Sequence, residues 1–572
     1  MLSQDISSTG IAVREAIRRA VNRFAGPPLL NRVMPPATPN RLLIAPKDLR
    51  TIDPTTAQDI YAGRFFLAGK LIETGGRDPF TLDDTPQSWQ RELHAFGWFR
   101  HLEADGSALP KQNATALLGD WLNHRFSRGH SIAWEPEIAA RRLITWFAHS
   151  VGILEAISPR QYQQWLKSIG FHIRFLKHNY AASDPGLPRL LVRIALAYAS
   201  ICADGQQQQL TRAARLLDAE LAEQLGEDGM HVSRNPAVVP DLLSLLLPLR
   251  QSHASAGIQP STTLVSAIDR LMLAMKFFVL GDGTFARFNG MSATRSDLLA
   301  TLLQYDDSPG TVSATAAIGD YQRLSAGDTI LLTDIGKPPS GSLSKTAHAG
   351  TLAFEMSSGD HLIIVNCGAA APGEPQAVAR SARSTAAHST ATINDTSSSR
   401  IYAGSWFSNL LGARFVSAPR RVTHDRLESP GELGFSASHD GYVRPFGILH
   451  QRTLRLSTDG NRIEAADRFT DRSGQPLRKS GNARFAIRFH LHPSVSAGHT
   501  AGSDILLMCG NGRSWRFICD DWDARVEESV FFASVSGARR TTQIVLEGDI
   551  DATPEIRWRL IRESMAQQPQ PA

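Results

Sequence analysis

The sequence has few cysteines, and their spacing argues against two common uses of this residue. There are four in 572 residues, Cys202, Cys367, Cys509 and Cys519. No two of them form the C-x-x-C pair typical of a cysteine-based zinc site. Four thiols in so long a chain also do not resemble the disulfide framework of small secreted domains. We therefore expect reduced, buried thiols.

Long apolar runs are missing as well. The longest, Leu242–Leu249, is short and contains a proline, whereas about 20 apolar residues are needed to span a bilayer. The first residues, MLSQDISSTG, contain no apolar signal-peptide core. These features predict a protein without a transmembrane segment and with a cytoplasmic location.

The chain also lacks a dense basic cluster and several common enzyme motifs. Its 60 Lys and Arg against 55 Asp and Glu give a formal charge of only +5. The densest groups are pairs such as Arg141 and Arg142, so no nucleic-acid-binding arm is predicted, although the modest surplus suits a polyanionic substrate. The P-loop, the dinucleotide fingerprint, H-E-x-x-H and G-x-S-x-G are all absent.

Hydrophobic periodicity divides the chain into two halves. After an amphipathic helix and a Pro-rich linker at residues 1–50, apolar residues recur at helical spacing through 51–290. The predicted helices include Ala57–Leu67, Ser88–Leu102 and Thr262–Phe278. Over 315–565 the period is two, with turn residues between segments, which is typical of an antiparallel sandwich. We predict a helical domain and a β-sandwich with a cleft between them.

A central stretch contains the groups best suited to binding a metal or moving a proton. Two apolar runs, Thr351–Met356 and Leu362–Val365, flank the residues SSGD and predict a hairpin. His348 precedes the first run, Asn366 ends the second, and His388 precedes the next β-prone segment. We expect these three side chains to meet at one sheet edge.

The segments AHAGTLAFEMSSGDHLIIVNCG and RSTAAHSTATIND resemble the C-terminal domain of the heparinase II/III-like family. That family has a His-x-His-Ala-Asp element, an Asp-x-Gly and an Arg-x-Thr-x-x-His-Asn-Thr element. They align here with residues 346–350, 366–368 and 383–390. Elements of the helical half, such as DGMHVSRNPAVVPDLLSLL, extend the resemblance over roughly residues 60–565. It implies a multidomain α and β fold, an incomplete (α/α) toroid followed by a large antiparallel β-sandwich.

The family's lyases cleave uronate-containing polysaccharides by β-elimination. The reaction needs a group that neutralises the carboxylate, a base for the C5 proton and an acid for the leaving oxygen, and each positioned proton transfer contributes about 10²–10⁴-fold. By resemblance, His348 and His388 are candidate bases. Arg383 and Arg189 are candidate partners of the carboxylate. Tyr321 is the candidate acid, or else it caps the domain interface with its hydroxyl on the backbone.

Five further residues are candidates for substrate binding. His231, Arg234 and Asn235 lie in a loop of the helical half where the family's cleft opens, and they either contact substrate or cap the loop. Trp98 and Trp134 stand beside charged loop residues. They are either platforms for stacking sugars or parts of the core, because tryptophan supplies a large apolar area wherever helices meet.

The resemblance also raises the question of a metal. In some family members the positions of His348, Asn366 and His388 are His, Asp and His, and they hold a structural zinc. Asn366 is a poorer ligand than aspartate because it brings no charge. The alternative is that the two histidines form hydrogen bonds that stabilise the sheet edge. No cofactor is expected to be required for the reaction.

Three positions depart from the pattern of the active lyases. Val238 stands where they have the catalytic tyrosine, and it has no proton to donate. Thr346 replaces the first histidine of the His-x-His element. Leu187 and Pro188 replace an Asn-His pair, which leaves Arg189 as the nearest cation.

Three functions therefore stay open at this stage. The leading prediction is a lyase that acts on an acidic polysaccharide by β-elimination, and the alternative is a lyase-shaped protein that binds such a polysaccharide without cutting it. The third is a scaffold in envelope polysaccharide assembly. The resemblance favours the periplasm or cell envelope, whereas the N-terminus favours the cytoplasm. Nothing in the sequence specifies an oligomeric state.

Overall fold

A computed structural model describes residues 37–104, 108–124, 132–307, 310–401, 412–477, 482–520 and 522–563. The amphipathic helix predicted before residue 25 lies outside these ranges. The fold class is confirmed: a helical half precedes two large antiparallel sheets. None of the described helices combines the length and the hydrophobicity needed to cross a membrane.

Eleven α-helices form the described part of the N-terminal half. They are α1 (Pro54–Tyr61), α2 (Gln87–Ala95), α3 (Ala108–Asn123), α4 (Pro136–Ala148), α5 (Ser150–Ala156), α6 (Pro159–Asn179), α7 (Leu187–Cys202), α8 (Leu210–Gln224), α9 (Val238–Ser255), α10 (Thr262–Phe278) and α11 (Ser296–Leu303). From Leu190 onward α7 is buried on nearly all sides, as expected for a helix that is apolar around its whole circumference. This helix lies in the main core of the helical half.

The strands follow in chain order, with two short helices among them. They are β1 (Arg64–Leu67), β2 (Lys70–Glu73), β3 (Ala317–Ile318), β4 (Tyr321–Ala326), β5 (Thr329–Asp334), β6 (Phe354–Ser358), β7 (His361–Val365), α12 (Gln376–Ala382), β8 (Ala391–Ile393), β9 (Arg400–Ile401), β10 (Phe415–Ser417), β11 (Val422–Ser429), β12 (Glu432–His439), α13 (Val443–Phe446), β13 (Leu449–Ser457), β14 (Arg462–Thr470), β15 (Arg484–Leu491), β16 (Ser496–His499), β17 (Ile505–Met508), β18 (Ser514–Ile518), β19 (Arg525–Phe531), β20 (Arg539–Asp549) and β21 (Glu555–Arg562).

Two antiparallel sheets enclose the core of the C-terminal half. One has the strand order β11-β12-β13-β14-β21-β18-β17-β16, and the other has the order β19-β20-β15-β7-β6-β5-β4-β3, with β8 also paired to β15. Burial alternates along β13, for example, because successive side chains point to opposite faces of a sheet. The inward-facing side chains of both sheets form one apolar cluster between them.

Two of the predicted helices are wrong in their extent. The helix predicted at Ala57–Leu67 ends at Tyr61, and Gly63, with φ of 75°, leads into the hairpin of β1 and β2. The helix predicted at Ser88–Leu102 breaks at Phe96, whose φ of 63° is left-handed, and continues as a 3₁₀ segment. Both breaks occur where the backbone adopts a positive φ, which an α-helix does not allow.

Candidate functional site

The predicted hairpin forms from β6 and β7, and the two histidines beside it meet. Nδ1 of His348 lies 3.0 Å from Nε2 of His388, and the two rings are perpendicular. A Cβ at Gly350 would stand 2.8 Å from Cδ2 of His388, so only glycine lets the second ring pack there. The sequence thus identified correctly a pair of imidazoles that lie 40 positions apart in the chain.

Both imidazoles are deeply buried and neutral. His348 is 2% exposed and His388 is not exposed at all. Nδ1 of His388 donates to the carbonyl of Ser384 at 2.7 Å, which leaves its Nε2 as the acceptor for His348. Burial lowers the pKa of His388 to about 4. Burial and then the neighbouring His388 lower the pKa of His348 as well.

Asn366 does not join the two histidines as a metal ligand. Its side-chain oxygen accepts from the backbone N–H of Ser389 at 2.9 Å, and its amide donates to Glu355 at 3.3 Å. In the described ranges, no group of three or more His, Cys, Asp or Glu side chains is arranged to hold a metal. Two imidazoles and an amide oxygen that already accepts a hydrogen bond are a weaker donor set for zinc than three anionic or imidazole ligands.

Tyr321 lies inside the junction between the two halves, not on the surface of a cleft. It is completely buried, and its hydroxyl donates to the carbonyl of Arg234 at 2.6 Å. The same hydroxyl oxygen accepts a hydrogen bond from the side-chain amide of Asn289 at 2.5 Å. Burial raises its pKa far above the usual range. This is the interface-capping role left open as the alternative to general acid.

Arg234 is the central link across the junction. Its guanidinium donates to the carboxylate of Asp334 at 2.7 Å and to the carbonyl of Gly319 at 2.8 Å, and it also donates to the carbonyls of Asp320 and Lys337. It lies 4.4 Å from the centre of the Tyr321 ring. Every one of these partners belongs to the C-terminal half, so the predicted substrate-binding arginine instead joins the two domains.

The other two loop residues cap their own loop. The ring of His231 lies between Ser233, at 2.7 Å, and Gln224, at 2.9 Å. The side-chain oxygen of Asn235 accepts from the N–H of Ala237 at 2.9 Å. His231 and Asn235 are 1% and 9% exposed, so both adopt the loop-capping role that the sequence had left open.

The two predicted carboxylate partners have different environments. Arg383 donates to the carbonyls of Ser344, Ala347 and Ala413 at 2.7 to 2.8 Å, so its guanidinium shapes the loop that leads to His348. Arg189 is half-buried, its guanidinium donates to the carbonyl of Ser183 at 3.4 Å, and it lies 5.5 Å from the centre of the Tyr180 ring. Of these two, only Arg189 keeps most of its hydrogen-bonding capacity.

The two predicted stacking tryptophans are mainly core residues. Trp98 is 3% exposed, and its indole N–H donates to the carbonyl of Leu93 at 2.9 Å. Trp134 is half-buried, with its ring centre 4.7 Å from that of Phe171, edge to face. Both rings pack against other aromatic rings of the helical half, which is the core role that the sequence left open.

A groove that sequence reasoning missed lies beside α2 and α4. It has a volume of about 480 Å³ and is lined by Trp98, Phe66 and charged side chains from several segments. The charged residues that line it are Arg50, Arg91, Arg100, Arg141, Arg295, Glu92 and Glu137. Arginines outnumber glutamates in this lining, and several of the arginines have acidic partners just outside it. We call this the arginine groove.

The arginines of the groove differ in how far they are neutralised. Arg50 binds Asp48, Arg91 binds Glu135 at 2.8 Å, and Arg141 binds Asp241 at 2.9 Å. Arg100 donates only to backbone carbonyls, and Arg295 is 3.8 Å from its nearest acidic partner. The turn of the hairpin that borders the groove lies against the loop between β7 and α12, because a Cβ at Gly373 would lie 3.2 Å from the carbonyl of Ala68. The groove therefore opens near the junction of the two halves.

A helical half joined to an antiparallel sandwich is also the fold of the solved structures of heparinase III and heparan sulfate lyase HepC. Residues 309–559 match the family described as heparinase II/III-like, C-terminal. The C-terminal half of the chain therefore contains a heparinase II/III-like C-terminal domain.

Solved structures extend the likeness to both halves. Heparinase III has 13% sequence identity to this chain, with a TM-score of 0.69, and the match covers 92% of this chain and 87% of that one. A mutant of heparan sulfate lyase HepC from Pedobacter heparinus has 13% identity, a TM-score of 0.62, and coverage of 98% and 90%. At such identities the likeness shows the fold.

A more similar sequence is that of FtsZ-localized protein C from Caulobacter vibrioides. It is 28% identical over 547 residues, which are 94% of this chain and 93% of the relative. The similarity therefore spans the helical half and the sandwich together.

Proposed function

We propose that this protein binds an acidic polysaccharide and does not cleave it. The observation that carries the proposal is the burial of the predicted proton carriers: Tyr321 and His388 are 0% exposed, and His348 is 2% exposed. A general base or acid has to come within hydrogen-bond reach of the substrate atom it serves. The substitution of the family's tyrosine by Val238 supports the same conclusion.

The arginine groove supports the binding part of the proposal. The side chains of Arg91 and Arg295 are 50% and 49% exposed. A ligand therefore reaches Arg295 directly, and it reaches Arg91 in competition with Glu135, which binds this arginine at 2.8 Å. Guanidinium groups pair well with carboxylates and sulfates because they offer planar sets of donors. One structural relative is named as a lyase of heparan sulfate, which is an acidic polysaccharide.

The first prediction concerns catalysis and binding in the same samples. Incubated with a panel of uronate polymers, the full chain is expected to give no rise in the ultraviolet absorbance of the unsaturated product. It is expected to bind at least one of these polymers, less tightly as salt is added. The double variant Arg91→Ala and Arg295→Ala is expected to bind about tenfold or more weakly, because hydrogen bonds to charged groups are the stronger ones.

Arg557→Ala is the matched control, since this side chain is 77% exposed and lies on β21, away from the groove. It is expected to bind like the unaltered protein. An absorbance rise that disappears in His348→Ala would show that the protein is a lyase. If the protein bound none of these polymers, the binding part of the proposal would be refuted.

A second candidate role follows from the sequence relative. We propose that the protein also associates with FtsZ assemblies, because its similarity to FtsZ-localized protein C spans 94% of the chain. Purified protein is expected to sediment with FtsZ filaments and to remain in the supernatant without them. The Arg91→Ala and Arg295→Ala variant serves as a control that separates this association from polysaccharide binding.

A further inference from the structure

A second pocket lies between α6, α7 and α8, and none of the roles proposed above uses it. It has a volume of about 140 Å³. Its floor is apolar and comes mainly from Ile173, Leu196 and Ala199. Lys177, Arg193 and Arg212, one from each helix, surround this floor. We call it the three-cation pocket.

The charges of this pocket are all of one sign. No acidic side chain is among its lining residues. Lys177 contacts the side-chain oxygen of Gln206 at 3.4 Å, and in the described part of the chain none of the three cations forms a salt bridge. Burial and the nearby charge of Arg212 lower the pKa of Lys177. Like charges held together without a counterion are destabilising, and a bound anion relieves this repulsion.

Arg193 is held in place at the wall of the pocket. Its guanidinium carbon lies 3.4 Å from the centre of the Tyr180 ring, and the hydroxyl of Tyr180 donates to Glu220. The Nε of Arg193 is buried and has no hydrogen-bond partner among the described residues. The stacked ring thus holds in place a cation that can form further hydrogen bonds. Because the Arg193 side chain is already ordered, binding of a ligand costs less side-chain entropy.

We propose that the three-cation pocket binds a small organic anion, with its charged group among Lys177, Arg193 and Arg212 and a compact apolar group on the floor. The volume of about 140 Å³ is below the range of about 300–1,000 Å³ that is usual for drug-sized ligands. An oligosaccharide is therefore excluded as the occupant. The pocket is formed by helices that do not line the arginine groove, so it is independent of polysaccharide binding.

The test is calorimetric titration of the full chain with phenyl phosphate and with benzoate. At least one of them is expected to bind saturably, and more tightly than phenol, which lacks the charge, or inorganic phosphate, which lacks the ring. Lys177→Gln and Arg212→Gln are each expected to weaken this binding about tenfold. Both side chains are exposed, so these variants are expected to fold.

Arg215→Gln is the matched control, because Arg215 is an exposed arginine of α8 that does not line the pocket. It is expected to bind the probes unchanged. Ala213→Phe fills the pocket from α8 and is expected to abolish binding, while circular dichroism and polysaccharide binding stay as in the unaltered protein. The proposal fails if neither probe binds, if phenol binds as tightly as the anions, or if Arg215→Gln reduces binding as much as Arg212→Gln does.

Discussion

Replacing Asp467 with alanine is expected to lower the free energy of unfolding by about 3–5 kcal/mol, the typical effect of removing one partner from a buried ion pair. Asp467 and Arg452 are both 0% exposed, between the two sheets. The carboxylate accepts from Nε and Nη2 of Arg452 at 2.8 and 3.0 Å, from His450 at 2.7 Å and from Trp558 at 2.9 Å. Without it, the guanidinium is left buried without an anion.

The effect of this variant reaches the candidate site. Nη1 of Arg452 donates to the carbonyls of Leu352 and Ser389, at 2.9 and 2.7 Å, and Ser389 is the neighbour of His388. Urea unfolding followed by fluorescence measures the loss. Asp520→Ala is the control, because the pair of Asp520 with Arg559 is exposed and is expected to contribute no more than about 1 kcal/mol. Equal losses in the two variants would refute the argument.

The pH dependence of this ion pair has a definite sign. Burial acts to raise the pKa of Asp467, but Arg452 and His450 outweigh it and hold the pKa below the usual range. A depressed carboxyl pKa stabilises the fold above the unfolded value of about 3.9, and this contribution is lost as the pH falls towards the folded value. We therefore expect the unaltered protein to lose stability more steeply below pH 4 than Asp467→Ala does.

The architecture and the histidine pair could be predicted because both depend on local patterns. The helix predicted at Thr262–Phe278 forms with those bounds, since it has an uninterrupted helical period and Ser261 caps it. The first hairpin strand was predicted at Thr351–Met356 but begins at Phe354. Leu352 has a φ of 64°, and its N–H donates to the carbonyl of Asp334 at the end of β5. This contact with another strand delays the start of β6, and the hydrophobic period of the sequence gives no sign of it.

The burial of the candidate catalytic residues could not be predicted, because it depends on contacts between distant segments. Arg234 reaches Gly319 and Asp334 across 85 and 100 positions of the chain. The sequence around an arginine in a cleft loop is the same whether its guanidinium contacts substrate or contacts the other domain. The arginine groove escaped prediction for the same reason, because its lining comes from separate segments between Arg50 and Arg295.

Arg234→Met is expected to destabilise the protein by about 3–5 kcal/mol and to separate the unfolding of the two halves. The variant keeps an apolar stem over Tyr321 but leaves the carboxylate of Asp334, which is 2% exposed, without its cation. Calorimetry is expected to show one transition for the unaltered protein and two for the variant. Lys345→Ala is the control, because its cross-domain pair with Asp184 is partly exposed and is expected to contribute about 1 kcal/mol or less.

A second substitution distinguishes an unpaired charge from a simple loss of packing. Asp334→Asn keeps the shape of the side chain and its contact with Asn289 but removes the charge, so the double variant is expected to recover much of the stability lost in Arg234→Met. Burial already raises the pKa of Asp334 despite Arg234, and without the arginine the pKa rises further. A raised carboxyl pKa means that the folded state binds the proton more tightly than the unfolded state does. The loss in Arg234→Met is therefore expected to be smaller at pH 5 than at pH 8, whereas a pure packing defect would be the same at both.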